Sequence, residues 1–195
     1  MELDDILDPS FLIPVAGGTV IAIGIIVAIV TAKLSKKKKE MIPRWTRGAY
    51  GLWTGGEDSG TWPRERAIQS LSSWYGATNV GALRAVIADL KRPDTSMVEW
   101  NMIRALDLLR IGVAAGYIDQ EECWTEAGRI CQTLQQTHTS WEHLGQCFEV
   151  GMHAWQGRSG ITDPNETGRV KKNLPRLRAE VWPQAPWNAP LVVDD

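Results

Sequence analysis

Four polar residues at three-residue intervals, Asn101, Arg104, Asp107 and Arg110, are the side chains of this 195-residue chain best placed to do chemistry. Helix residues three and four apart are neighbours, so the four form a slowly turning stripe in which Arg104 can pair with Asp107, and Asp107 with Arg110. The positions between them are Met102, Ile103, Ala105, Leu106, Leu108 and Leu109, so the helix is apolar on its other faces. Such a stripe is exposed, lines a cleft, or lies buried as a satisfied network. One reading is an ion-pair network that sets helix register, since buried charges must be partnered. The other is a site for a small anionic ligand or a partner, with Arg104 and Arg110 supplying guanidinium groups suited to carboxylate or phosphate.

Other chemistry is weaker. His138, His143 and His153 with Glu142 superficially suggest a metal site. HTSWEH is not the zinc-protease order, however: the first two histidines are five residues apart, across a helix start expected at Ser140. Cys123, Cys131 and Cys147 have no zinc-like spacing and suit reduced thiols in a cytoplasmic compartment. No metal and no cofactor is expected. There is no glycine-rich phosphate loop and no serine nucleophile elbow, Ser140 before Trp141 being better explained as a helix cap. With no assembled catalytic constellation, an enzyme is the less favoured class.

The elements that must position the stripe are helices. The first is expected to begin near Trp62, with Pro63 in its first turn, and to carry Ala67, Ile68, Leu71, Trp74 and Tyr75 before Gly76 ends it. Asn79 can cap a second, with Leu83, Val86, Ile87 and Leu90 inward, broken by Arg92, Pro93 and Asp94. The third carries the stripe: Ser96 and Glu99 have capping-box spacing, and Gly116 stands where the apolar series Ile103, Leu106, Leu109, Val113 stops. Asp119 can cap a fourth (Trp124, Ile130, Cys131, Leu134), and Thr139 or Ser140 a fifth (Trp141, Leu144, Phe148, Trp155). Trp100, Trp124, Trp141 and Trp155 are the natural pins of such a core. Residues 157–168 read as a loop, Arg169–Leu177 as a short helix, and WPQAPWNAP as an irregular strap placing Trp182 and Trp187 over the helices.

Composition narrows the class. The chain is 44% apolar, enough for a real core, and its net charge of −2 hides an uneven distribution. Residues 1–8 hold four acids and no base, 33–39 hold five lysines, and the remainder is weakly acidic. That balance does not fit a nucleic-acid binder, which needs a surplus of basic side chains on one face. Pro9 to Ala32 is a run of 24 uncharged residues rich in Ile and Val. At ~1.5 Å per helical residue it reaches roughly 36 Å, against a bilayer core of about 30 Å. A single transmembrane helix over 9–34 is therefore expected. Lys36, Lys37, Lys38 and Lys39 behind it predict an outside N-terminus and a cytoplasmic body, and could meet anionic lipid. Gly24, Ala28 and Ala32 form a small-residue ladder suited to self-association. Trp45, with its aromatic neighbours, suits the headgroup boundary, and GGEDSG at 55–60 reads as a flexible joint.

The series Trp74-Tyr75-Gly76 with Asn79, Trp100, Arg104-Ala105, Arg110, Gly112, Ala115-Gly116-Tyr117, Glu122, Trp124, Ser140-Trp141, Gly145, Gly151, Trp155 and Pro186-Trp187 resembles the bacterial domain-of-unknown-function family that includes the YbeU and YbeR proteins. The resemblance covers roughly 62–187. It implies a helical bacterial domain with no catalytic residue to carry over, and the apolar run lies outside it.

The expected fold is all-α: a single N-terminal transmembrane helix, a compact bundle of about five helices, and an irregular Trp/Pro-rich strap. The expected divisions are an acidic tail 1–8, a span 9–34, a basic and aromatic linker 35–60, a helical domain 61–190 and a tail 191–195. The expected role is a protein-interaction or adaptor module held at a bacterial inner membrane, with a protein partner. A sensor or enzyme using Arg104 and Arg110, and a membrane-associated toxin or antidote component, are the alternatives.

Overall fold

The helix bearing the polar stripe is the axis of the molecule. In a computed structural model of the chain, residues 40–92, 97–160 and 164–193 are described. Seven helices lie among them: α1 (40–54), α2 (Arg64–Tyr75), α3 (Val80–Leu90), α4 (Val98–Ala115), α5 (Gln120–Thr137), α6 (Trp141–Ser159) and α7 (Pro164–Arg176). No strand occurs among the described residues. α4 packs against α2, α3, α5 and α6 and against a 3-10 turn at Ser59–Thr61. Every residue from Ala105 to Gly112 is buried as a result. A helix covered on all sides is normally apolar all round, so Asp107 and Arg110 must find partners inside the fold.

Local chemistry ends the helices where the sequence places the signals. Asn79 accepts from the Ala82 N–H at 2.9 Å, Asp119 from Glu122 at 2.8 Å and Ser140 from His143 at 3.1 Å, each satisfying a donor left open by the first turn. Gly76 and Gly116 adopt φ of 65° and 72° and close α2 and α4 in the left-handed region that glycine enters without a Cβ penalty. Ser96 lies outside the described residues, and Met97 precedes α4 without a side-chain cap.

The expected fold needs correction at its N-terminal end. Residues 1–39, and with them the acidic tail, the Gly24/Ala28/Ala32 ladder, Lys36–Lys39 and the whole segment 9–34, lie outside the described residues. Among the described residues no helix is long and apolar enough to cross a membrane, so the expected single transmembrane helix is not supported. The longest helices, α4 to α6, carry charged residues along their length, such as Arg104, Glu126 and Glu149.

The expected linker over 35–60 is, from residue 40 onward, part of the core. α1 buries Ile42, Trp45, Ala49, Tyr50 and Leu52. Trp45 is completely buried, not at a headgroup boundary. Its ring centre lies 4.3 Å from that of Trp141 and 5.1 Å from that of Trp187, and its Nε1–H donates to the Trp187 carbonyl at 3.3 Å. Aromatic pairs at such spacings add to the area they bury. Gly48 makes the approach possible: a Cβ there would stand 2.8 Å from the Trp141 ring. The pattern Met-Ile-x-x-Trp-x-x-x-x-Tyr-x-Leu suits a membrane boundary and a core helix equally; packing against Trp141 and Trp187 decides for the core.

The C-terminal segment is helical for longer than expected. α6 continues through Gly157 to Ser159, and α7 begins at Pro164. Pro175 sits near the end of α7, where its missing N–H removes an i→i−4 bond, and the helix continues as a π-helical turn, Leu177–Val181. Beyond it the chain crosses α1, α5 and α6. Trp182 Nε1–H donates to Gly48 O at 3.2 Å, Trp141 Nε1–H to Ala185 O at 2.9 Å, and Gln132 Nε2–H to Leu191 O at 2.8 Å.

Candidate functional site

Asp107 and Arg110 lie one turn apart on the buried side of α4 that faces residues 57–61. Asp107 is 7% exposed and accepts a 2.6 Å hydrogen bond from Ser59 Oγ. Arg110 is 4% exposed and grips the Asp58 carboxylate, its Nη2 standing 3.1 Å from both oxygens and its Nε 3.1 Å from Oδ1. Its Nη1 reaches Cys123 Sγ at 3.9 Å, and its guanidinium carbon lies 4.3 Å from the centre of the Trp124 ring. The fork geometry of arginine supports such a two-oxygen grip.

The segment expected to be a flexible joint is therefore the counterpart of the buried charges. Gly55 and Gly56, at φ of 71° and 87°, turn the chain out of α1. Asp58 then closes a tight turn by accepting from the Gly60 N–H at 2.9 Å while its carboxylate meets Arg110. Gly60 leaves the room: a Cβ there would collide with the Arg110 guanidinium. Arg176 and Asn173 of α7 hold the same turn from outside through the carbonyls of Gly55 and Leu52, at 3.1 and 3.2 Å.

The four stripe residues separate into two environments. Among the described residues no ion pair joins Arg104 to Asp107, or Asp107 to Arg110, although the spacing permits both. Arg104 is half-buried among aromatic rings, its guanidinium carbon 5.2 Å from the centre of Tyr75, 5.5 Å from Trp100 and 5.8 Å from Trp155. Asn101 stands half-buried one turn earlier. Tyr50, Asp58 and Ser59 belong to the network but were not singled out in the sequence, and Cys123 was read there only as a reduced thiol. Only Asp-Ser-Gly, a turn signature, hints at one of them.

Electrostatics follow burial. Loss of water pushes the Asp107 carboxyl up to about 6; the Ser59 hydrogen bond and Arg104 work against the rise, and Glu57 and Asp58 add to it. Burial also pushes the Cys123 thiol up to about 11 despite the Arg110 charge beside it. Tyr50 is raised too, by burial first and then by Asp58. Burial disfavours the Arg110 charge, and Asp58 and Cys123 together more than offset this. A carboxyl near neutrality beside a serine hydroxyl has the elements of base-assisted nucleophilic chemistry. Ser59 is 1% exposed, however, and its bond to Asp107 ties residues 57–61 to α4.

Two surface features lie outside the network. A groove of about 370 Å³ runs between α3 and α5, bridged by Arg84–Glu122 at 2.8 Å and by Lys91–Glu126. Arg104 and Arg110 do not line it. A shallower groove of about 290 Å³ lies on α2, between Trp62 and Trp74, floored by Arg66, Gln69, Ser70 and Ser73. Trp74 is 80% exposed. Trp62 is held by its Nε1–H donating to Glu57 Oε1 at 2.9 Å and by Arg66 over its ring at 4.0 Å.

An all-helical domain knit by a buried polar turn and a tryptophan cluster is the class of object the geometry defines. Residues 32–188 match the family described as Protein of unknown function (DUF1266), and the chain belongs to that family. The match starts well before residue 62, as the burial of α1 in the core requires. No curated protein and no solved structure matches the chain.

Proposed function

We propose that this domain is a protein-interaction module that receives an extended peptide segment on the α2 face between Trp62 and Trp74. The observation that carries this reading is the exposure of Trp74, 80% accessible on a helix whose opposite side is anchored in the core by Ala67 and Leu71. A large aromatic left in water on a rigid element costs solubility and offers a partner anchor, and tryptophan is enriched among residues that dominate binding energy. Trp62, fixed by Glu57 and Arg66, is a second, pre-ordered wall, so little side-chain entropy is lost on binding. The groove fits an apolar or proline side chain between the two rings. The Ser70 and Ser73 hydroxyls and the Gln69 amide can take up peptide hydrogen bonds, and Arg66 a carboxylate. Kinship with the YbeU and YbeR proteins is part of the same reading and adds no activity to it.

Selection of peptides from a displayed library on the purified protein, followed by affinity measurement on Trp74→Ala, tests the proposal. Truncation of an anchor tryptophan should weaken the selected peptides by on the order of 30-fold or more, equivalent to about 2 kcal/mol. Because Trp74 is so exposed, the thermal midpoint should stay where it was. Peptides that bind Trp74→Ala as tightly as the parent would overturn the assignment of this face.

A further inference from the structure

We infer that Glu99, His138 and Cys147 form a binding site for a single divalent transition-metal ion of the zinc class, in a place unconnected with the α2 groove. The three come from different elements: Glu99 from the first turn of α4, His138 from the residue that ends α5, and Cys147 from the middle of α6. One ligand atom of each lies within 4.8 Å of those of the other two. His138 is buried, whereas Glu99 and Cys147 are half-buried, so the cluster opens to solvent on one side.

The convergence of three different donors carries the argument, and the hydrogen bonds of His138 hold its ring in place for it. Its Nδ1 lies 3.0 Å from the Leu134 carbonyl oxygen. Thr137 Oγ1 lies 2.9 Å from the same nitrogen, so the Nδ1 side of the ring is held by two protein oxygens and Nε2 is turned toward Glu99. Nε2 stands 3.1 Å from Glu99 Oε1. A proton on Nε2 donated to Glu99, or a metal ion held by both atoms, satisfies this contact. A backbone carbonyl on the far ring nitrogen is the arrangement that fixes the tautomer of metal-bound histidines and raises their basicity.

Cys147, a free thiol, separates the two possibilities chemically. An ion pair between Glu99 and His138 has no use for it, but a thiolate, an imidazole and a carboxylate together are a donor set for zinc, with a fourth position open to water. Ligands at roughly 2.0–2.3 Å from a tetrahedral ion stand about 3.3–3.6 Å apart. The nitrogen and oxygen, at 3.1 Å, stand close to this, and the thiol, within 4.8 Å of both, needs to close by about 1 Å. Binding releases the thiol proton to solvent. The spacing of the ligands in the chain, 39 residues and then 9, resembles no local zinc signature. His143 and His153, the other histidines, do not supply the set; the His143 ring lies tilted at 55° to that of His138 with ring centres 5.1 Å apart, and His153 is exposed.

The test is titration of the chelator-stripped full-length protein with cobalt(II), followed by zinc(II). One equivalent of cobalt should produce the near-ultraviolet thiolate-to-cobalt charge-transfer band and the visible bands of a tetrahedral ion, and zinc should bleach both. Cys147→Ser, a small change at a half-exposed position, should abolish the charge-transfer band while leaving helical content unchanged. His138→Gln should weaken binding by more than about 100-fold, since even the outer partners of a metal ligand are worth roughly 10–100-fold. Absence of the band at one equivalent, or a band that survives Cys147→Ser and so arises at Cys123 or Cys131, would overturn the assignment.

Discussion

Replacing Asp107 with asparagine should reshape the pH dependence of stability. Burial holds the Asp107 carboxyl at about 6, against 3.8 for the exposed group. Because the folded-state value is the higher one, the folded chain binds more protons than the unfolded chain between these limits. Stability therefore falls as pH rises through the window, and the whole loss is in place above about pH 6. The rise from 3.8 to about 6 corresponds, at 1.36 kcal/mol per unit, to ~3 kcal/mol in favour of the protonated form. Asparagine has no proton to lose and keeps an oxygen for the Ser59 hydroxyl. The stability of Asp107→Asn relative to the parent should thus climb by ~3 kcal/mol between acid and mildly alkaline solution. Carboxylates shifted the other way, such as Glu126 beside Lys91 and Arg129, contribute equally to both proteins and cancel in the difference. Urea unfolding followed by tryptophan fluorescence from pH 4 to 8 measures it. At about 1–3 kcal/mol per molar urea, the gap between midpoints should move by on the order of 1–3 M. A gap that stays constant with pH, or moves the opposite way, would mean that Ser59 and Arg104 compensate the ionised carboxylate better than burial penalises it. The account of this network as a costly structural lock would then be wrong.

Trp45→Ala should cost about 3–5 kcal/mol, as large-to-small core changes do, read as a lower urea midpoint; a tryptophan serving only a lipid boundary would leave stability in water unchanged. Gly112→Ala brings a Cβ to 2.6 Å from Leu83 Cδ2, and to 3.3 Å from Ile118. Alanine would otherwise favour a helix by about 1 kcal/mol, so a net loss of about 1–2 kcal/mol in the same assay is the signature of overpacking between α3 and α4. An increase in stability would show that Leu83 simply moves aside.

The helices from α2 to α6 were legible because their signals are local. Asn79, Asp119 and Ser140 cap donors three residues away, and Gly76 and Gly116 end helices within their own turn. Apolar spacing within one helix identifies its buried face without reference to any other. The stripe Asn101, Arg104, Asp107 and Arg110 was legible as a stripe for the same reason. Its partners were not. Asp58 and Arg110 are separated by 52 positions and Ser59 and Asp107 by 48, and neither pairing has a local signature; intrahelical pairing at i,i+3 satisfied the same charges on paper.

α1 was misjudged because amphipathic aromatic residues suit a headgroup layer and a protein core alike. Only the ring of Trp141 against Gly48, and the strap carbonyl that accepts from Trp45, distinguish the two. The sequence by itself determined an all-helical domain, most of its helix ends and the presence of charges on an otherwise apolar axis. Tertiary structure alone decided that Asp107 and Arg110 are buried, which turn meets them, and that Glu99, His138 and Cys147 share one place. Burial and long-range pairing depend on which surfaces meet, and hydrophobic surfaces carry no address of their own.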